Sequence, residues 1–274
     1  MSTLTPGSTG AQRSRGRVRT GPVAAARDAL IIAGRNLTVL RRVPQLLVFA
    51  TIQPVLFVLM FRYVFGGAIQ IPGASYVDYL MPGIFAQTVA FGAMTTGIGL
   101  AEDLQRGLID RFRALPMARS AVLAGRTLAD LVRNVGVVLL MVAVGFLVGF
   151  RVHTHPLGLL AGLGLLLLFG FALSWLFALV GLSVANAESA QAASFPLLFP
   201  LVFASSAFVP TQTMPDGLRA FAEHQPVTAV INAVRALTLG GPTTSWVLQS
   251  VAWSVGLLAV AAPLAVHRYR RASS

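Results

Sequence analysis

The chain has 274 residues, 55% of them hydrophobic and 11% charged, with a mean hydropathy of +0.75. A soluble domain is about 25% charged, so this composition excludes an ordinary globular surface and indicates several membrane spans. The net charge is +12 and all 21 basic residues are arginine. Without lysine the chain has no phosphate-loop lysine and no Schiff-base lysine.

Cysteine is absent, which excludes disulfides, zinc-thiolate sites and iron–sulfur clusters. The histidines are His153, His155, His224 and His267. His153 and His155 are close in sequence, but no neighbouring carboxylate completes a metal site, and none is expected.

Residues 1–21 are rich in Ser, Thr, Gly and Pro and then carry Arg13, Arg15, Arg17 and Arg19. This predicts a disordered basic tail. Residues 22–43 predict an interfacial helix. Arg27, Asp28, Arg35, Arg41 and Arg42 share one arc, opposite Leu30, Ile32, Ala33, Leu37 and Leu40. Pro44 ends it.

Long uncharged runs then predict six spans, over about 43–65, 79–101, 126–150, 157–181, 190–209 and 246–266. The arginines cluster at the ends of these runs. Those up to Arg42, the group from Arg106 to Arg133, and Arg268, Arg270 and Arg271 share one side of an even-span topology. Arg62, Arg151, Arg219 and Arg235 fall on the other. The positive-inside rule makes the richer side cytoplasmic and places both termini there, in a multi-pass protein of the cell membrane. The +12 therefore reads as topology, and no nucleic-acid partner is expected. Gly145/Gly149 and Gly158/Gly162 have helix-packing spacing, although glycine is common in membrane helices generally.

The segment after span two departs from a simple turn. Leu104, Leu108, Ile109, Phe112 and Leu115 make one helical face, and Glu102, Asp103, Arg106, Asp110 and Arg113 the other. Pro116 stops it, giving about 14 residues and about 21 Å of helix. Such a helix either rests on lipid headgroups or docks a cytoplasmic partner, and its pattern fits both. Before the last span, Pro215 and Pro226 punctuate two short helical stretches, ended by Gly240-Gly241-Pro242.

Three function classes compete on residues alone. An ion-coupled secondary transporter needs ionisable groups deep in its spans, yet Asp78, Asp130, Arg133 and Glu188 lie near predicted span ends. A membrane-embedded enzyme needs a cluster of His, Asp or Glu at one depth, and none gathers. A permease needs an apolar pathway. Phe49, Phe57, Phe85, Phe91, Phe199 and Phe203 would suit a hydrophobic cargo, or equally a lipid-facing surface.

The run Glu102, Asp103, Arg106, Gly107, Asp110, Arg111, Phe112, Arg113, Leu115, Pro116, Met117, Arg119 resembles the cytoplasmic loop of type-2 ABC exporter permeases. Gly125, Arg126, Asp130 and Arg133 fit as well, as does Tyr79-Leu80-Met81-Pro82-Gly83. So does the stretch with Pro210, Met214-Pro215, His224-Gln225-Pro226-Val227-Thr228 and Arg235. The resemblance covers roughly residues 27–270 and extends to the daunorubicin-resistance membrane protein subfamily. It implies an all-α integral membrane protein, with residues 22–271 forming a single transmembrane domain. Its expected parts are six spans, a coupling helix between spans two and three, and short re-entrant helices before span six. It further implies a permease homodimer, docked through Glu102–Arg113 on a separate cytoplasmic ATPase and exporting a hydrophobic or amphipathic compound. The candidate re-entrant residues are Pro210, Pro215, Glu223, His224, Pro226 and Arg235. ATP would bind the partner, while this chain would carry no cofactor and no catalytic site. Lipid is the remaining expected contact, and ion-coupled transport is the alternative.

Overall fold

The structure is a computed structural model, and it describes residues 45–67, 69, 71, 73, 75–106 and 119–272. Among the described residues it is all-helical, without strands. The basic tail, the predicted interfacial helix and most of the loop helix lie outside the described residues.

Helix α1 is Gln45–Leu59, continued by a π-helical turn over Met60–Phe65. Helix α2, Tyr76–Gln105, begins at Ser75, whose hydroxyl accepts from the Asp78 backbone N–H at 3.2 Å. This cap satisfies one orphan donor, and Asp78 in the first turn complements the helix dipole. Helix α3 is Arg119–Leu147 and helix α4 is Pro156–Gly181, with Pro156 in its first turn, where no N–H is needed. Helix α5, Ala187–Phe203, is capped by Asn186, which accepts from Ser189 N at 2.8 Å. Glu188, expected near a span end, lies in its first turn. Two short helices follow, α6 (Asp216–His224) and α7 (Pro226–Leu239), and α8 runs Thr243–Ala272. Gly240 and Gly241 separate α7 from α8 at φ +99° and +116°, angles that glycine adopts without strain.

Among the described residues, four helices are long and apolar enough to cross a membrane: Tyr76–Gln105, Gly125–Leu147, Pro156–Gly181 and Thr243–Tyr269. Thr51–Phe65 and Pro226–Leu239 are shorter apolar helices. The span expected over 190–209 is a helix of 17 residues ending at Phe203. That gives about 26 Å of helix against about 30 Å of hydrocarbon. The chain leaves helical geometry at Ala204 and turns back towards α6.

Helices α2 and α4 form the centre, with α8 and α7 against α4, and α3, α5 and α1 against α2. The core between them holds Leu80, Met81, Ile84, Phe85, Leu166, Phe169, Leu173 and Phe177. Oily side chains alone drive little association in lipid, so close backbone approach matters. At the α2–α4 crossing a Cβ on Gly97 would collide with the Phe177 carbonyl oxygen, and one on Gly181 with that of Gly97. The Gly158/Gly162 pair packs on α7, against Leu237 and Val234. Gly145/Gly149 does not act as a pair. Gly145 meets Met81, while Gly149 sits in a turn at φ +104° with nothing within 4 Å.

Candidate functional site

The sequence candidates fall at two opposite ends of the bundle. At the first, α2 leaves the core and α3 enters it. Glu102 and Arg106 pair along α2, with Arg106 Nη2 donating to Glu102 Oε1 at 2.5 Å. Asp103 pairs with Arg126 of α3. Arg126 lies across Gly99, one turn before Asp103, where any Cβ would collide with the guanidinium. Further along α3, Arg133 pairs with Asp130 at 3.3 Å and donates from Nη2 to the Gly92 carbonyl at 2.8 Å. The Asp103–Arg126 pair fastens the last charged turn of α2 to α3, and the Arg133–Gly92 bond joins the same two helices nearer the middle of α2. Gly107, Asp110, Arg111, Phe112 and Arg113 lie outside the described residues.

The second end gathers the remaining candidates. Residues 204–209 are non-helical, and Gly83 lies against Ala207 two turns inside the start of α2. Irregular backbone at membrane depth must find its hydrogen bonds within the protein. Here it finds them. The Tyr76 hydroxyl donates to Phe208 O and the Tyr79 hydroxyl to Ser206 O, both at 3.1 Å. Gln225 Nε2 donates to Leu201 O at 2.8 Å and to Ala204 O at 3.2 Å, and the Ser206 N–H donates to Thr228 Oγ1.

Arg235 is the centre of this lock. Its Nη2 donates to Tyr79 O and to Ser206 O, each at 2.9 Å, and Nη1 to Asn232 Oδ1 at 2.9 Å. Its guanidinium carbon lies 3.6 Å from the centre of the Tyr79 ring. One planar cation therefore joins α2, the break after α5, and α7, a task that suits a guanidinium fork and not an ammonium.

Pro210 precedes the short turn Thr211–Thr213, Pro215 precedes α6, and Pro226 opens α7. Arg219 Nε donates to Glu223 Oε1 at 2.8 Å, and this bond holds the Glu223 carboxyl below its usual range and raises Arg219. His224 Nδ1 lies 2.8 Å from Ala220 O. These residues share the second end with Arg235 and are separate from Glu102, Asp103 and Arg106.

Asp78 anchors the same end differently. Its Oδ1 accepts from Arg151 N at 2.7 Å, and Oδ2 lies 3.8 Å from His153 Nε2. Its burial at a helix N-terminus with a backbone partner marks a structural carboxylate.

An aromatic array runs from α5 to α1. Phe195, Phe199, Phe203, Phe208, Phe61 and Phe65 succeed one another at centroid distances of 5.4, 4.2, 5.3, 4.6 and 5.3 Å. Phe57 joins at Phe61. Of the apolar candidates, Phe57, Phe199 and Phe203 belong to this array, whereas Phe85 is buried edge-on against Phe150. The side chain of Phe49 lies outside the described residues. The i, i+4 spacing of Phe57, Phe61 and Phe65, and of Phe195, Phe199 and Phe203, was a signal available in the sequence. The partners Tyr76, Ser206 and Asn232 carried no such signal.

Residues 28–239 match the ABC-2 type transporter family, and the chain belongs to that family. It is an ABC transporter permease, and such permeases work with an ATPase subunit. It is 35% identical over 237 residues to the daunorubicin resistance ABC transporter permease protein DrrB1 of Streptomyces coeruleorubidus, covering 86% of this chain and 83% of that protein. It is 29% identical over 233 residues to the probable doxorubicin resistance ABC transporter permease protein DrrC of Mycobacterium tuberculosis, covering 82% of each. The putative transport permease ycf38 of Cyanophora paradoxa is 23% identical over 237 residues, 85% of this chain and 80% of that one.

Proposed function

We propose that this chain is the membrane subunit of an ATP-driven exporter of a hydrophobic or amphipathic compound, drug-like or lipid-like. The observation that carries this is the similarity over most of its length to permeases named for daunorubicin and doxorubicin resistance. In this reading α1 to α5 and α8 are the six spans, and α6–α7 is the re-entrant element. Residues 22–271 then form one transmembrane domain with both termini cytoplasmic and an interfacial helix at 22–43. Two permeases form a homodimer in the lipid. ATP belongs to the partner ATPase, and this chain binds no cofactor or metal. The segment Glu102–Arg113 is the docking surface, and the Asp103–Arg126 pair carries its movement into α3. The aromatic array between α1 and α5 is the surface offered to an apolar cargo.

The test is export by proteoliposomes holding the permease and its ATPase. Asp103→Arg and Arg126→Asp should each lower export per ATP hydrolysed, and the double variant should recover it. Charge reversal at Asp110 or Arg113 should leave hydrolysis running while export falls. Unchanged export in all of these sinks the coupling assignment. Export driven by a proton gradient without any ATPase overturns the reading in favour of ion coupling.

A further inference from the structure

Asp130 and Arg133 lie inside the apolar stretch Gly125–Leu147 of α3, where a charged side chain is costly and calls for a reason. The Asp103–Arg126 junction does not use Asp130. Asp130 offers Oδ1 to Arg133 at 3.3 Å, and Arg133 also donates to the Gly92 carbonyl on α2. The second oxygen, Oδ2, is buried and accepts no hydrogen bond among the described residues. Buried polar atoms are nearly always paired, so such an oxygen needs a physical account. One turn earlier on the same helix, Arg126 has the matching defect. Its Nη1 is on Asp103, while its Nε is buried and has no acceptor among the described residues.

The unpaired donor and the unpaired acceptor are complementary. Residues four apart on a helix are surface neighbours, within reach of an ion pair. Arg126 is nevertheless committed to Asp103 in this state. The partner in use is the more open one, with the Asp103 side chain 34% exposed against 13% for Asp130. Gly99 leaves the guanidinium its room, since any Cβ there would collide with it. Were Asp103 simply to withdraw with the end of α2, Arg126 would remain as a largely buried cation without a counter-charge, which is strongly unfavourable. A second carboxylate oxygen on its own helix removes that penalty. We infer that Asp130 is a positioning residue for export, the second acceptor of Arg126. As the end of α2 moves away, Arg126 passes from Asp103 to Asp130 Oδ2, and the two helices separate there without stranding a charge. Arg133 steadies the waiting carboxylate through Oδ1. The trigger rests on the reading of Glu102–Arg113 as the docking segment, whereas the hand-over itself needs only this chain.

The test is a pair of double-mutant cycles on the full chain, unfolded by graded SDS in mixed micelles without the ATPase. Arg126→Gln, Asp130→Asn and their combination give the coupling between the two residues, first in the wild type and then in an Asp103→Asn background. With Asp103 present the coupling should stay within about twofold in the unfolding equilibrium constant. With Asp103→Asn, Arg126 has Asp130 to turn to, and the coupling should rise to about tenfold. Asp130→Glu in that background should keep the stability that Asp130→Asn loses. An Asp130 that only holds Arg133 would give the same coupling in both backgrounds, and that result overturns the proposal. A second measurement does not require the Asp103→Asn protein to fold. In proteoliposomes with the ATPase, Asp130→Asn should lower export per ATP hydrolysed several-fold and Asp130→Glu should restore it. Export per ATP at the wild-type level in Asp130→Asn also overturns the proposal. The two readings fail separately. Equal coupling in both cycles, with the Asp103 and Arg126 charge reversals still uncoupling export, overturns the hand-over alone. Unchanged export in those reversals sinks the coupling assignment, and the cycles then still measure whether Arg126 changes partner.

Discussion

Substitution of Arg235 by alanine removes the centre of the polar lock. The main loss is three hydrogen bonds of 2.9 Å, to Tyr79 O, Ser206 O and Asn232 Oδ1, with two longer ones to Tyr79 O and Ser206 Oγ and the contact with the Tyr79 ring. In water, hydrogen bonds to a charged group contribute about 1.5–3 kcal/mol each. Within a bilayer the average interhelical bond is nearer 0.6 kcal/mol, because the unfolded chain also finds partners there. The membrane value governs here, and with about 1 kcal/mol for the ring contact the lock is worth about 3 kcal/mol. Unfolding of the permease by graded SDS in mixed micelles should show Arg235→Ala destabilised by about that amount. Arg235→Lys should lose about half of it, since an ammonium cannot span the two carbonyls as a planar fork does. An Arg235→Ala variant within about 1 kcal/mol of wild type would refute the reasoning, and the break at residues 204–209 would then be held by packing alone.

Three further outcomes follow from the geometry. Gly97→Leu should separate α2 from α4 and destabilise the permease to SDS by several kcal/mol, more than the roughly 1–3 kcal/mol of ordinary overpacking, because the clash is with backbone. Asp78→Ala should cost about 1–3 kcal/mol in the same assay by leaving Arg151 N without its acceptor. The depressed Glu223 carboxyl gives a pH signature: a group whose folded pKa lies below its unfolded value of about 4.3 contributes fully above that value. The thermal midpoint difference between wild type and Glu223→Gln should therefore shrink as pH falls through the acid range below about 4. A difference independent of pH would show that Glu223 acts through shape and not charge.

The positions of the long apolar helices α2 and α4 were legible because each is a local property, a run of apolar residues bounded by arginine or an acidic residue. The run Tyr79–Ala101 sits inside α2, and Leu157–Gly181 matches α4 almost residue for residue. The fifth element was less legible. Its apolar run continues to Val209, but the helix stops at Phe203, and hydropathy alone does not register where a backbone turns. Proline placement did register the two short helices, since Pro226 opens α7.

The sparse charge and the missing lysines determined that this is a membrane chain without phosphate-loop hydrolysis of its own, because composition limits chemistry whatever the fold. The periodicity of Glu102, Asp103 and Arg106 marked one end of α2 as charged, but not what it meets. Only the tertiary structure decided that Arg126 crosses Gly99 to reach Asp103, and that Arg235 joins residues 156 positions apart. Both depend on glycine-spaced helices approaching closely enough for a long side chain to bridge them, and that distance is a property of packing that no local run of residues contains.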